Sequence, residues 1–104
     1  MTTKPSVSFD GTRKELLKDA EVAAGYLQEC LADGDIDLFK EALKHVADAR
    51  LGGMTALSEQ AELGRETLYR TLSKRGNPTL NTLTKVLEAV GLKMAITADH
   101  SPNP

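Results

Sequence analysis

The chain has 104 residues, with 13 Lys+Arg against 15 Asp+Glu, 4% aromatic residues, no Trp and one Cys. That length suits one domain with a core of moderate size, and the lone Cys30 excludes an internal disulfide framework and every multi-cysteine zinc pattern. Apolar runs are only a few residues long and the N-terminus resembles no signal peptide, so a cytoplasmic protein without membrane spans is expected.

The net charge of −2 argues against a nucleic-acid partner only while it is treated as uniform. Residues 1–43 hold five basic side chains (Lys4, Arg13, Lys14, Lys18, Lys40) and nine acidic ones, a net of −4. Residues 44–93 hold eight basic side chains (Lys44, Arg50, Arg65, Arg70, Lys74, Arg75, Lys85, Lys93) and five acidic ones, a net of +3, and Asp99 supplies the last −1. The basic half can meet phosphate and the acidic half a basic protein. Two ordinary solvated surfaces would give the same numbers.

Residues 1–18 carry a Lys-Pro-Ser start and a Phe9-Asp10-Gly11 turn signal, and are expected to be an extended or poorly ordered, flexible segment. A single helical domain is expected over 19–98, with 99–104 a disordered tail. Asp19 is placed to cap a helix running to about Leu31, with Glu21 in its first turn. Val22, Ala23, Tyr26, Leu27, Cys30 and Leu31 form its apolar stripe. Asp33-Gly34-Asp35 interrupts the pattern, and a second helix over about Ile36–Arg50 puts Ile36, Phe39, Leu43 and Val46 on one face. Gly52-Gly53 ends it, because glycine tolerates the left-handed conformation needed there. Asp33, Asp35 and Asp37 lack the remaining ligands of a calcium loop, so Asp35 reads as a helix cap. His45 has no spaced Cys or His partner, Cys30 reads as a small buried apolar residue, and Met54 and Met94 read as packing. No metal or cofactor is expected.

A short helix is expected from Thr55 to about Ala61, with Leu57 and Ala61 inward. A tight turn at Glu62-Leu63-Gly64 leads to a helix over Arg65–Leu72, with Leu68 and Leu72 inward. A polar loop then carries Lys74, Arg75, Gly76 and Asn77. Thr79 is a good cap for a longer helix to about Val90, where Leu80, Leu83, Val86, Leu87 and Val90 recur at helical spacing, and Gly91 terminates it. Leu92, Met94 and Ile96 alternate with Lys93, Ala95 and Thr97, which reads as one short strand. A single strand has no partner within the chain, so these three residues are expected either to pack as an extended tail or to pair with another chain, most simply a second copy across a dimer axis.

Two short helices joined by a three-residue turn, at 55–72, read as a helix-turn-helix unit. The first helix must brace the second through apolar contacts, here Leu57, Ala61, Leu63 and Leu68, with a small residue, Ser58, at the closest approach. The second must present long polar side chains to base edges, here Arg65, Glu66, Thr67, Tyr69 and Arg70.

Residues 36–97 resemble the lambda-repressor-like (Cro/XRE-type) helix-turn-helix fold. More narrowly, the segments YLQECLADGDIDLFKEALKHVADARLGGM and RETLYRTLSKRGNPTLNTLTKVLEAVGLKM resemble the addiction-module antidote proteins, the HigA-like antitoxins. The resemblance implies an all-α bundle of about five helices. It implies a protein that binds operator DNA as a homodimer, represses its own operon and neutralises a RelE/HigB-like, messenger-RNA-cleaving toxin. Carried over by position, Arg65, Glu66, Thr67, Tyr69 and Arg70 fall on the recognition helix. Thr55, Lys74, Arg75, Gly76 and Asn77 fall where phosphates are met. Two positions depart from the pattern: Glu62 stands where the fold has Gly at the turn, and Gly64 where Ser or Asn caps the recognition helix.

Each of these residues has a plainer role available. Arg65, Arg70, Lys74 and Arg75 can be solvated surface, Glu66 a helix N-terminal acid, Tyr69 a cover for the loop, and Asn77 a shaper of the turn before Pro78. The alternative function is a stand-alone or phage-derived transcriptional regulator without a toxin partner; a protein-interaction module that binds no DNA has only the acidic total charge behind it. No Ser/His/Asp, Cys/His or carboxylate constellation is evident, so no enzyme is expected.

Overall fold

The computed structural model describes residues 9–100, with side chains described from Gly11 onward. Residues 1–8 and 101–104, the ends of the two segments expected to be flexible, lie outside the described residues. Six helices follow in chain order: α1 (Phe9–Leu17), α2 (Ala20–Ala32), α3 (Ile36–Leu51), α4 (Met54–Ala61), α5 (Arg65–Thr71) and α6 (Leu80–Ala89). The architecture is all-α, with one helix more than the sequence reading supplied.

The additional helix is α1, where an extended segment was expected. Asp10 and Gly11 lie inside it, so their turn preference is overridden by tertiary contacts rather than by local propensity. Leu17 is buried in the core, Lys14 reaches Asp48 of α3 at 3.5 Å, and the Lys18 carbonyl just beyond the helix accepts from Arg50 at 2.5 Å.

The caps follow local chemistry. Asp19 Oδ1 accepts from the Glu21 and Val22 amides at 2.8 and 3.2 Å. Asp35 Oδ1 accepts from the Leu38 amide at 3.0 Å, and Thr79 Oγ1 from the Thr82 amide at 3.1 Å. Each satisfies a donor that would otherwise be orphaned at a helix start, worth about 1 kcal/mol. Gly52 closes α3 at φ 98°, its amide bonded to the Ala47 and Asp48 carbonyls, both at 3.1 Å.

The core is centred on α3, whose Ala42, Leu43, Val46 and Ala47 are wholly buried. α1, α2 and α4 pack against it, and α4 in turn carries α5 and α6. The buried strips are narrower than the apolar patterns. Ile36 is 50% exposed while Phe39, Leu43 and Val46 are buried, and on α2 Ala23, Leu27 and Cys30 are buried but Val22 and Leu31 face out. On α6, Val86 and Leu87 are buried and Leu80 is exposed. Tyr26 joins α2 to α3 through its hydroxyl, 2.9 Å from His45 Nδ1. His45 therefore serves packing between helices. Burial pushes the Tyr26 hydroxyl above its ordinary pKa, against the opposing pull of Arg13.

No strand occurs among the described residues, and Leu92–Thr97, where one was expected, runs as an extended tail. A ladder requires a neighbouring strand to receive its N–H and C=O groups, and no described segment provides one. The Leu92 amide instead bonds to the Leu87 carbonyl at 2.8 Å. The segment lies along α2 and α6, bordering a groove of about 370 Å³ lined by Leu27, Leu31, Leu83 and Leu87. Leu92 packs on the core, whereas Met94 is 44% and Ile96 99% exposed.

Candidate nucleic-acid interface

α4 and α5 form a braced pair. Leu57 of α4 and Leu68 of α5 are wholly buried, and Ala61 and Leu72 nearly so. The connection is Glu62-Leu63-Gly64, and Glu62 adopts φ 56°, ψ 45°. It is the one non-glycine residue at positive φ among the described residues, so the turn carries left-handed strain of about 1 kcal/mol. Two bonds hold it there. The Leu63 amide donates to the Ser58 carbonyl at 3.0 Å, and the buried Ser58 hydroxyl donates back to the Leu63 carbonyl. The small residue expected between the helices is thus also the one that ties the turn. Gly64 caps α5 in extended conformation without any side-chain bond.

α5 makes its helix-to-helix contact with α4, which leaves its far side open. Arg65, Glu66 and Arg70 are exposed, Tyr69 is 51% exposed and Thr67 is half-buried. Thr55, in the first turn of α4, is exposed, as are Lys74, Arg75 and Asn77 in the loop beyond α5. Gly76 answers a packing need. A Cβ at that position would stand 2.0 Å from the Arg70 carbonyl oxygen and 2.7 Å from Thr71 backbone atoms. It is what lets the loop fold back over the end of α5. The proposed dimer residues Leu92, Met94 and Ile96 lie apart from this surface, on the segment beside α2 and α6.

Two basic residues counted as ordinary charge turn out to be structural. Lys40 of α3 is 2% exposed. Its ammonium donates to the Ser73 carbonyl at 2.7 Å, the Lys74 carbonyl at 3.2 Å and the Gly76 carbonyl at 2.7 Å, with Asp37 Oδ1 at 3.3 Å. Such a group is buried at little cost because its proton donors are matched. Arg50 bonds the Val90 carbonyl at the end of α6 at 2.6 Å as well as the Lys18 carbonyl. Sequence reasoning missed both. The available signal for Lys40 was a lysine beside Phe39 and one turn before Leu43, within an apolar stripe. Cys30 is buried, and burial, with Asp33, Asp35 and Glu29 adding to it, pushes its thiol up, which disfavours the reactive thiolate.

The family model described as "probable addiction module antidote protein" matches residues 7–98. The chain belongs to this antidote family. A Haemophilus influenzae protein described as uncharacterized is 37% identical over 91 residues, covering 79% of this chain and 92% of its own. No solved structure matches. Membership implies a toxin as the antidote's partner and a regulatory rather than enzymatic role. Among the antidote's described residues, no helix is long and apolar enough to cross a membrane.

Proposed function

We propose that the antidote is a sequence-specific DNA-binding antitoxin of the HigA-like kind, with a lambda-repressor-like helix-turn-helix at α4–α5. It represses its own operon and neutralises a RelE/HigB-like toxin. The observation that carries the reading is the α4–turn–α5 pair, where wholly buried Leu57 and Leu68 brace a helix whose Arg65, Glu66, Tyr69 and Arg70 stand exposed.

On this reading α5 enters the major groove, where Arg65 and Arg70 have the fork geometry to grip guanine O6 and N7. Glu66 accepts from a cytosine amino group, and Thr67 and Tyr69 make the neighbouring contacts. Thr55, Lys74, Arg75 and Asn77 hold phosphates, fixing register and releasing counterions. A homodimer sets two recognition helices on a palindromic operator. The acidic helix α2, with Glu21 and Glu29, or the segment before it, faces the toxin. Family membership favours this over a stand-alone regulator.

Replacing Arg65 and Arg70 together by Ala removes two exposed side chains and leaves the core untouched. The double variant is expected to retain its helical circular dichroism and thermal midpoint while losing specific binding to the DNA upstream of its own gene. Undiminished operator affinity would refute the assignment of α5.

A further inference from the structure

The loop between α5 and α6 is held from behind by one side chain. Three carbonyl oxygens, those of Ser73, Lys74 and Gly76, converge on Lys40 Nζ at 2.7, 3.2 and 2.7 Å. The described chain has no cis peptide bond, and in a trans peptide the C=O and the following N–H point in opposite directions. Drawing those carbonyls toward α3 therefore turns the amides of Lys74, Arg75 and Asn77 away from it. None of the three amides has an acceptor among the described residues.

This orientation has an electrostatic consequence. The C-terminal end of α5 would by itself present orphaned carbonyls, the negative end of the helix dipole, beside whatever the loop approaches. The carbonyls of Ser73, Lys74 and Gly76 lie just beyond that end and would add to it; a buried ammonium takes them up and leaves donors on the outer side, next to the exposed side chains of Lys74 and Arg75. Outward amides and cationic side chains together suit a tetrahedral oxyanion. Gly76 belongs to the same device, since any side chain there would collide with the Arg70 and Thr71 backbone and push the loop off Lys40.

We propose that Lys40 is the positioning residue of a phosphate-binding loop. It turns the Lys74, Arg75 and Asn77 amides, with the Lys74 and Arg75 side chains, toward a phosphate of the nucleic-acid backbone. Lys40 itself never touches the ligand. The inference rests on the DNA-binding reading above and adds to it a residue from outside the helix-turn-helix.

Lys40→Met tests it, with Lys40→Gln, which keeps two donors, as the milder variant should Met fail to fold. Trypsin cleavage after Lys74 and Arg75 reports the loop alone and is expected to quicken roughly tenfold in Lys40→Met, less in Lys40→Gln. Affinity for a duplex from upstream of its own gene is expected to fall roughly tenfold, and the salt dependence to become shallower by about two phosphate contacts. In a Lys74→Ala/Arg75→Ala background, adding Lys40→Gln is expected to lower DNA affinity less than it does alone, because only the loop amides are left to lose. Unchanged cleavage would overturn the positioning role. Faster cleavage with undiminished affinity and salt slope would overturn the phosphate role, and a fully additive loss would show that Lys40 acts elsewhere. A wild-type chain binding no duplex at about 50 mM salt would overturn the DNA-binding reading itself. The cleavage comparison would then decide the positioning role separately.

Discussion

Two glycines close to the candidate interface have opposite tolerances. At Gly76 the space a Cβ would fill already holds the Arg70 carbonyl oxygen, 2.0 Å away, and backbone atoms cannot swing aside as a side chain can. Gly76→Ala must therefore move the loop off α5 and break its bonds to Lys40, at a cost of about 3 kcal/mol or more. At Gly64 the backbone is ordinary extended chain at φ −61°, ψ 142°, and an added Cβ meets only Thr67 Oγ1 at 3.9 Å. Gly64→Ser supplies the missing cap to α5 and restricts the unfolded chain, so it is expected to stabilise by about 0.5–1 kcal/mol. Thermal melts check both, since a change of 1 kcal/mol shifts the midpoint by roughly 4–8 °C at this size. An unaltered midpoint for Gly76→Ala would contradict the packing of the loop on α5.

Among the elements, α3 is the one to which the others are fastened, and its polar side chains matter as much as its apolar ones. Arg50 bonds the Lys18 carbonyl between α1 and α2 and the Val90 carbonyl at the end of α6. It thus satisfies orphan acceptors on both sides of the bundle. Arg50→Met keeps the packing of the stem but strands those carbonyls, and is expected to destabilise by about 2–4 kcal/mol, because hydrogen bonds from charged donors are the stronger class. Chemical denaturation checks this; a loss within experimental error would mean that water replaces Arg50 without penalty. Such ties explain what could be read from the residues beforehand. Asp19, Asp35, Thr79 and Gly52 act on amides or carbonyls within five positions of themselves, so their capping is written locally. Lys40 acts on carbonyls 33 to 36 positions away, and nothing near it in the chain announces that. α1 is the same lesson reversed: its Asp10-Gly11 pair signals a turn, and contacts to α3 decide otherwise. Alternation at Leu92–Thr97 marked an extended segment, and the neighbour that would make it a strand is not among the described residues. At the candidate interface, the outward residues of α5 followed from helical spacing alone, whereas the loop's conformation depended on a lysine from another helix.

For the whole molecule, the structure reduces the charge available to nucleic acid below what the basic half suggests. Arg50, counted in that half, is committed to backbone carbonyls. Between Glu62 and Asn77 there remain four basic side chains, Arg65, Arg70, Lys74 and Arg75, against Glu62 and Glu66, all exposed, a local net of +2. The rest of an acidic chain repels a polyanion at long range. Phosphate neutralisation by four side chains gives a slope of log affinity against log salt no steeper than about −3.6 per protomer. Non-specific duplex is expected to bind at or beyond the weak end of the usual range, near 10⁻⁴ M at physiological salt. Specific binding must then come from base contacts and from having two recognition helices on one site. Replacing Glu62 and Glu66 together by Gln raises the local net to +4 by removing two acidic side chains. It is expected to raise affinity for random-sequence duplex several-fold at low salt, with the advantage shrinking as salt rises. Fluorescence anisotropy over a salt series checks both statements. A slope distinctly steeper than −3.6 per protomer would bring in further basic residues, Lys44, Lys85 or Lys93, and enlarge the interface beyond α4, α5 and their loop.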